Sequence, residues 1–184
     1  MEVTDNFLPS KVFLELRRHC EVNEFKAAFV GSKPIFVLEP PQILLPYLEI
    51  EGHIVVLAFL RCDCKEYAEE INIHADGIIN GNKTSLAARV YINKEENVTP
   101  NGTCFYKHKV HGTKLPSKVS HKEYSRLLKE DSGDKRRWVQ TDCVANIPNR
   151  RLLYNSDCFV GREPTNIQSG RRIVLEVYYK KKTP

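Results

Sequence analysis

The stretch Arg171-Arg172-Ile173-Val174-Leu175-Glu176-Val177-Tyr178-Tyr179 decides how this chain is read. Ile173, Leu175, Val177 and Tyr179 fall on one side of an extended backbone, and Arg172, Val174, Glu176 and Tyr178 fall on the other. That is period-two alternation, the signature of a β-strand with one face buried.

Upstream, other short β-rich runs are separated by turn residues. They are Pro34 to Leu38, Ile43 to Ile50 with Pro46 at an edge or bulge, Ile54 to Arg61, Ile71 to His74, Leu86 to Ile92, Cys104 to Val110, Val139 to Val144 and Leu152 to Tyr154. Two helices interrupt this pattern. Residues 10–28 place Val12, Phe13, Leu16 and Cys20 at near-helical spacing, with Ser10 as a cap. Residues 121–130 follow Ser120, and Glu123 completes a capping box. Strands without regular β–helix alternation predict an all-β, immunoglobulin-like antiparallel β-sandwich. Residues 1–32 read as a helical N-terminal extension and 33–184 as the sandwich domain.

Composition agrees with a globular chain. Of 184 residues, 41% are hydrophobic and 28% charged, which excludes disordered and collagen-like classes. The longest apolar run, Ile54 to Leu60, is far shorter than a membrane span, and the N-terminus has no signal-peptide pattern, so no membrane partner is expected. Without an export signal, the six cysteines read as reduced thiols and the setting as nucleus and cytoplasm.

Charge is asymmetric. Residues 1–103 carry 10 Lys and Arg against 15 Asp and Glu, whereas 104–184 carry 18 against 8. The basic half contains Lys135-Arg136-Arg137 beside the single Trp138, then Arg150-Arg151, Arg171-Arg172 and Lys180-Lys181-Lys182. Such clusters suit a polyanion, or else a solvated face. No catalytic motif, phosphate-binding glycine loop or cofactor signature is present, so no enzyme and no cofactor are expected. Cys104, His108 and His111 have a spacing that could ligate zinc, but on one strand His111 would point away, so no metal is expected either.

From Lys33 to Lys182 the chain resembles a divergent N-terminal Rel-homology region, the DNA-binding sandwich of the NF-κB/Rel and nuclear factor of activated T cells families. The likeness rests on Asp142-Cys143-Val144, Asn155-Ser156-Asp157 and the last strand, on Ile73-His74, Leu86 to Ile92, Pro100 and Phe105 to Gly112, and on Pro34 to Pro41 followed by Tyr47 and Glu51-Gly52. The resemblance implies a transcription-regulating domain that grips double-stranded DNA. Tyr47, Glu51 and His53 would lie at the groove, and Lys135, Arg136, Arg137, Arg171, Arg172, Lys180, Lys181 and Lys182 at phosphates. Ile43, Leu44 and Leu45 stand where that family carries base-reading arginines. The alternative is a module that binds a protein partner through the N-terminal helix or through Ile43 to Leu45, as an inhibitor or competitor of Rel-family factors.

Overall fold

The computed structural model describes residues 1–30, 33–64, 72–93, 102–116, 120–163 and 171–182. The decisive strand is β13 (Arg171–Lys181), paired antiparallel with β4 (His53–Cys64) on one side and β8 (Leu86–Tyr91) on the other. Both of its faces are buried, not one. Leu175, Val177 and Tyr179 pack under helix α1 (Ser10–Val22), which presents Val12, Leu16 and Cys20 to the sheet. Arg172, Val174, Glu176 and Tyr178 are equally buried on the other face. The polar residues that would mark a solvent face therefore point into the protein.

The larger sheet has the order β1-β11-β8-β13-β4-β3-β2 and the smaller β10-β9-β12-β5. The remaining strands are β1 (Glu2–Thr4), β2 (Lys26–Val30), β3 (Lys33–Leu38), β5 (His74–Ala75), the hairpin β6 (Ile78–Ile79) and β7 (Asn82–Lys83), β9 (Gly102–His108), β10 (Trp138–Val144), β11 (Arg151–Asn155) and β12 (Phe159–Glu163). From β4 onward, leaving out the hairpin, eight strands form the body. Counted in chain order, the sixth, third, eighth and first lie side by side, facing the fifth, fourth, seventh and second. The chain thus crosses repeatedly from sheet to sheet, which is the jelly-roll arrangement. The all-β sandwich of the sequence reading holds, and the immunoglobulin-like topology is corrected. Strand alternation is common to both, and only the order of crossings separates them.

Local sequence explains the other departures. The first helix stops at Val22, and Ala28 and Phe29 belong to β2, which pairs with β3. Its N-cap position is Pro9 and no side chain caps it, so Ser10 lies inside the helix. Ile43 to Ile50 is not a strand. It forms a 3₁₀ turn and the one-turn helix α2 (Leu45–Leu48), with Pro46 in the first turn where its fixed φ fits. The capping box at α3 (His121–Asp131) is present: Glu123 N–H donates to Ser120 Oγ and Ser120 N–H to Glu123 Oε2. Cys104 and Cys143, opposite each other on β9 and β10, form a disulfide, which corrects the expectation of reduced thiols for this pair. Among the described residues no helix is long and apolar enough to cross a membrane.

Candidate functional site

The space between the sheets is apolar at one level and ionic at two others. The apolar level is built from Ala87, Phe105, Val144, Leu152, Tyr154, Val160 and Tyr178. Burying charge beside such a core is costly unless every charge is paired, and the pairing here is dense.

The first ionic group lies at the ends of β4, β12 and β13. The Asp63 carboxylate takes Arg61 Nε at 2.8 Å, Arg162 Nη1 at 2.9 Å and Arg172 Nη1 at 3.0 Å. Burial would raise the Asp63 pKa, but Arg61, Arg172 and Arg162 together outweigh it and hold the carboxyl below its usual range. Burial depresses the Arg172 pKa, against the pull of Asp63. Alongside, Tyr91 Oη donates to Thr103 Oγ1 at 2.8 Å, and Asn93 Oδ1 accepts from Ile173 N–H at 3.1 Å.

The second group centres on Arg89 of β8. Its Nη1 donates to Thr103 Oγ1 at 3.2 Å, its Nη2 lies 3.8 Å from Asp76 Oδ2, and its Nε lies 3.9 Å from Glu176 Oε1. Tyr154 donates to Asp76 Oδ2 at 2.7 Å and Tyr178 to Glu176 Oε2 at 2.6 Å. Burial opposes the Arg89 charge, yet Tyr154, Glu176 and Asp76 outweigh it and keep the guanidinium charged.

His74 sits at the edge of this group. It is paired across strands with Val160, so its ring shares the inward face. Its Nδ1 faces the Asn72 carbonyl at 3.1 Å and its Nε2 faces Asp76 Oδ1 at 3.5 Å. Two acceptors on two ring nitrogens favour the doubly protonated imidazolium. Burial would lower the His74 pKa, but Asp76 outweighs it and the value is raised. For Asp76, burial is outweighed by His74, Arg89 and Tyr154, and its pKa falls to about 2. The two signs set a window. The raised histidine contributes stability that is complete below its ordinary value and is lost as pH rises through the folded one. The lowered carboxyl contributes stability present above its ordinary value and lost as pH falls toward 2. Replacing His74 by glutamine is therefore expected to lower Tm most near pH 5, below the ordinary histidine value, and the gap to the wild type should narrow as pH rises above that value. A gap that is constant in calorimetric scans across this range would mean that His74 is neutral in the fold.

The residues expected to bind DNA fall into separate groups rather than one surface. Arg171 and Arg172 open β13, and Lys180 and Lys181 close it. An eleven-residue strand separates its ends by about 30 Å. Lys182 N–H donates to the Gly52 carbonyl, so the lysine tail lies beside exposed Glu51 and half-buried His53, while Tyr47 packs into the helix-side core. Arg172 is buried on Asp63. Lys135 pairs with Glu163, Arg136 with Asp134, and Arg137 with Asp131 and Asp134. The proposed protein-docking elements are used internally too: the α1 stripe covers the larger sheet, and Leu44 of Ile43 to Leu45 is fully buried. The zinc spacing fails because Cys104 is in the disulfide, and among the described residues no three His, Cys, Asp or Glu side chains converge.

No protein-family model and no curated protein matches the chain, but solved structures do. One is the non-heme α-ketoglutarate-dependent carbocyclase SnoK from nogalamycin biosynthesis, at TM-score 0.67 and 16% identity, over 97% of this chain and 78% of that one. A second is HygX from Streptomyces hygroscopicus with nickel and 2-oxoglutarate bound, at TM-score 0.61 and 12% identity, over 98% and 82%. A third is a prolyl-4-hydroxylase from Pseudomonas putida, at 0.51 and 13%, over 99% and 92%. The fold is the jelly roll that these structures share.

This overturns the Rel-homology resemblance, and with it the transcription-factor function, the double-stranded DNA partner and the protein-binding alternative. The expectation of a non-enzyme is corrected as well, because the structures sharing this architecture are enzymes. The sequence reading gives Asp63, His74, Asp76, Arg89 and Glu176 no part in a site: His74 enters only through the Rel-homology resemblance, and Glu176 only as the polar face of the last strand. One signal was available. His74-Ala75-Asp76 places an imidazole and a carboxylate two apart, hence on one side of an extended segment.

Proposed function

We propose that the chain is an enzyme that takes a small acidic molecule between its two sheets. Arg172 and Arg162 bind its carboxylate and His74 is the acid–base group. The observation that carries this reading is the convergence of inward-facing guanidiniums on Asp63, which marks a point of the interior built to hold a carboxylate. Arginine suits that task because its planar fork matches a carboxylate and keeps its charge when buried. A 2-oxo dicarboxylate, on which SnoK depends and which is bound in HygX, fits this chemistry by exchanging with Asp63 for one of the arginines. His74, partly exposed at 27% of its side chain and on the inward face of β5, is the proton carrier of this reading.

The metal of those structures is a separate matter. Non-heme Fe(II) oxygenase sites use two imidazoles and one carboxylate. This chain supplies His74 and Asp76, and the inward position opposite His74 is Val160, which has no donor atom. The residues present do not fit that metal, and the proposed acid–base role does not run through one.

The test is 2-oxoglutarate added to the protein in EDTA, followed by thermal shift and by NMR in D2O. Stabilisation, with deuterium entering the carbon next to the ketone, is expected. Arg172→Gln should weaken binding about tenfold or more, in line with losing one charge-assisted contact. His74→Gln should bind but not exchange. If neither 2-oxoglutarate nor other 2-oxo acids stabilise the protein, the reading falls. Binding without exchange would leave a binding protein and overturn the enzyme.

A further inference from the structure

The ionic group around Arg89 already sets a cation against its carboxylates. Arg89 lies between Asp76 and Glu176, and the His74 ring faces Asp76. Each carboxylate also takes a tyrosine hydroxyl, Tyr154 on Asp76 and Tyr178 on Glu176. A divalent cation at Asp76 would place two further positive charges beside a buried guanidinium, where little solvent screens them.

The donor set points the same way. A facial site needs a third donor facing His74 and Asp76. β12 is the neighbour of β5, and its inward residues there are Val160 and Arg162, neither of which is a ligand. The other five histidines of the chain lie at His19 on α1, His53 at the start of β4, His108 and His111 at and beyond the end of β9, and His121 at the start of α3. His108 packs on Trp138 and Phe159, on the side of the smaller sheet facing away from His74.

We propose that the Arg89 guanidinium stands in this chain where a jelly-roll oxygenase would carry its metal, so that the protein folds and binds its ligand as a metal-independent member of the architecture. The substitution has two parts, a lost imidazole at Val160 and a gained cation at Arg89. Reversing both should therefore recreate a site: with histidine at 160 and an uncharged side chain at 89, His74, Asp76 and the new imidazole would supply two nitrogens and a carboxylate. This inference goes beyond the reading above and does not depend on which acid is bound.

The experiment is Co(II) titration of the full chain, followed by isothermal calorimetry and by the visible absorption of the bound ion. The wild type is expected to show no saturable binding below about 1 mM and the same Tm in EDTA as in Co(II). The double variant Val160→His/Arg89→Met is expected to bind one Co(II) at least about 100-fold more tightly and to gain Tm on adding it. The wild-type measurement decides the question even if the double variant does not fold. One equivalent bound by the wild type with micromolar affinity, and lost in Asp76→Asn, would overturn the proposal. So would a folded double variant that binds Co(II) no better than the wild type. Succinate formed from 2-oxoglutarate by the wild type in the presence of Fe(II) would likewise refute it, while leaving the acid-binding reading intact. Failure of 2-oxoglutarate to bind in EDTA would sink that reading and leave this titration unaffected.

Discussion

Asp76→Ala is expected to cost about 3–5 kcal/mol of stability, the loss seen when one partner is removed from a buried ion pair. In a chain of this length that lowers Tm by roughly 6–20 °C. Asp76 is 3% exposed and serves three neighbours: the Tyr154 hydroxyl, the Arg89 guanidinium and the His74 ring. Its removal leaves a hydroxyl without its acceptor and a buried cation facing Glu176 alone. The size of the effect comes from these stranded groups more than from the lost attraction. A second substitution should therefore repair it. In Asp76→Ala/Arg89→Met the buried charge is gone, and the double variant should be more stable than Asp76→Ala alone by about 2 kcal/mol, a coupling typical of residues in one network. Urea unfolding of the four proteins of this cycle is the measurement. Additive losses would mean that Arg89 finds other compensation and that the cluster is not a unit.

The same cluster shows why the sequence could be read for strands but not for its site. β13, β8 and β9 announce themselves by alternation, and α3 by Ser120 and Glu123, because those signals lie within a few residues of one another. β12 was missed: Phe159-Val160-Gly161-Arg162-Glu163 has a glycine at its centre and no polar–apolar period. Gly161 is small for a reason only the fold reveals, since a Cβ there would crowd Tyr106 and Ile73. Arg172 and Glu176 were assigned to a solvent face because a polar side chain on an alternating strand usually lies in water. Whether that face meets water or a second sheet depends on the order in which strands cross, and no local pattern encodes that order. The Rel-homology resemblance failed on the same ground. Its matches were strands and turns, which two sandwiches of different topology share.

Gly102→Ala should be the most damaging added methyl among the described glycines, at about 3 kcal/mol, the upper range for overpacking. Gly102 opens β9 opposite Glu163 of β12, and a Cβ at this position would overlap the Val144 carbonyl oxygen of β10, which is backbone and cannot rotate away. Gly52→Ala is the control. Gly52 has φ +71° and nothing within 4 Å of an added Cβ, so its penalty is the left-handed conformation alone, about 1–2 kcal/mol. Equal losses for the two variants would show that the Val144 backbone yields. The clash also reaches the site, because Thr103, the next residue, accepts from both Tyr91 and Arg89. A β9 pushed off β10 loosens both contacts, so Gly102→Ala should weaken acid binding at temperatures where it is still folded. Relief has one easy direction. β10 is an edge strand of the smaller sheet, and the Cys104–Cys143 bond, one residue from Val144 and two from Gly102, pins it to β9 beside the clash. Reducing that bond lets the edge strand give way, and the difference between Gly102→Ala and the wild type should then shrink, although both proteins lose stability from reduction itself.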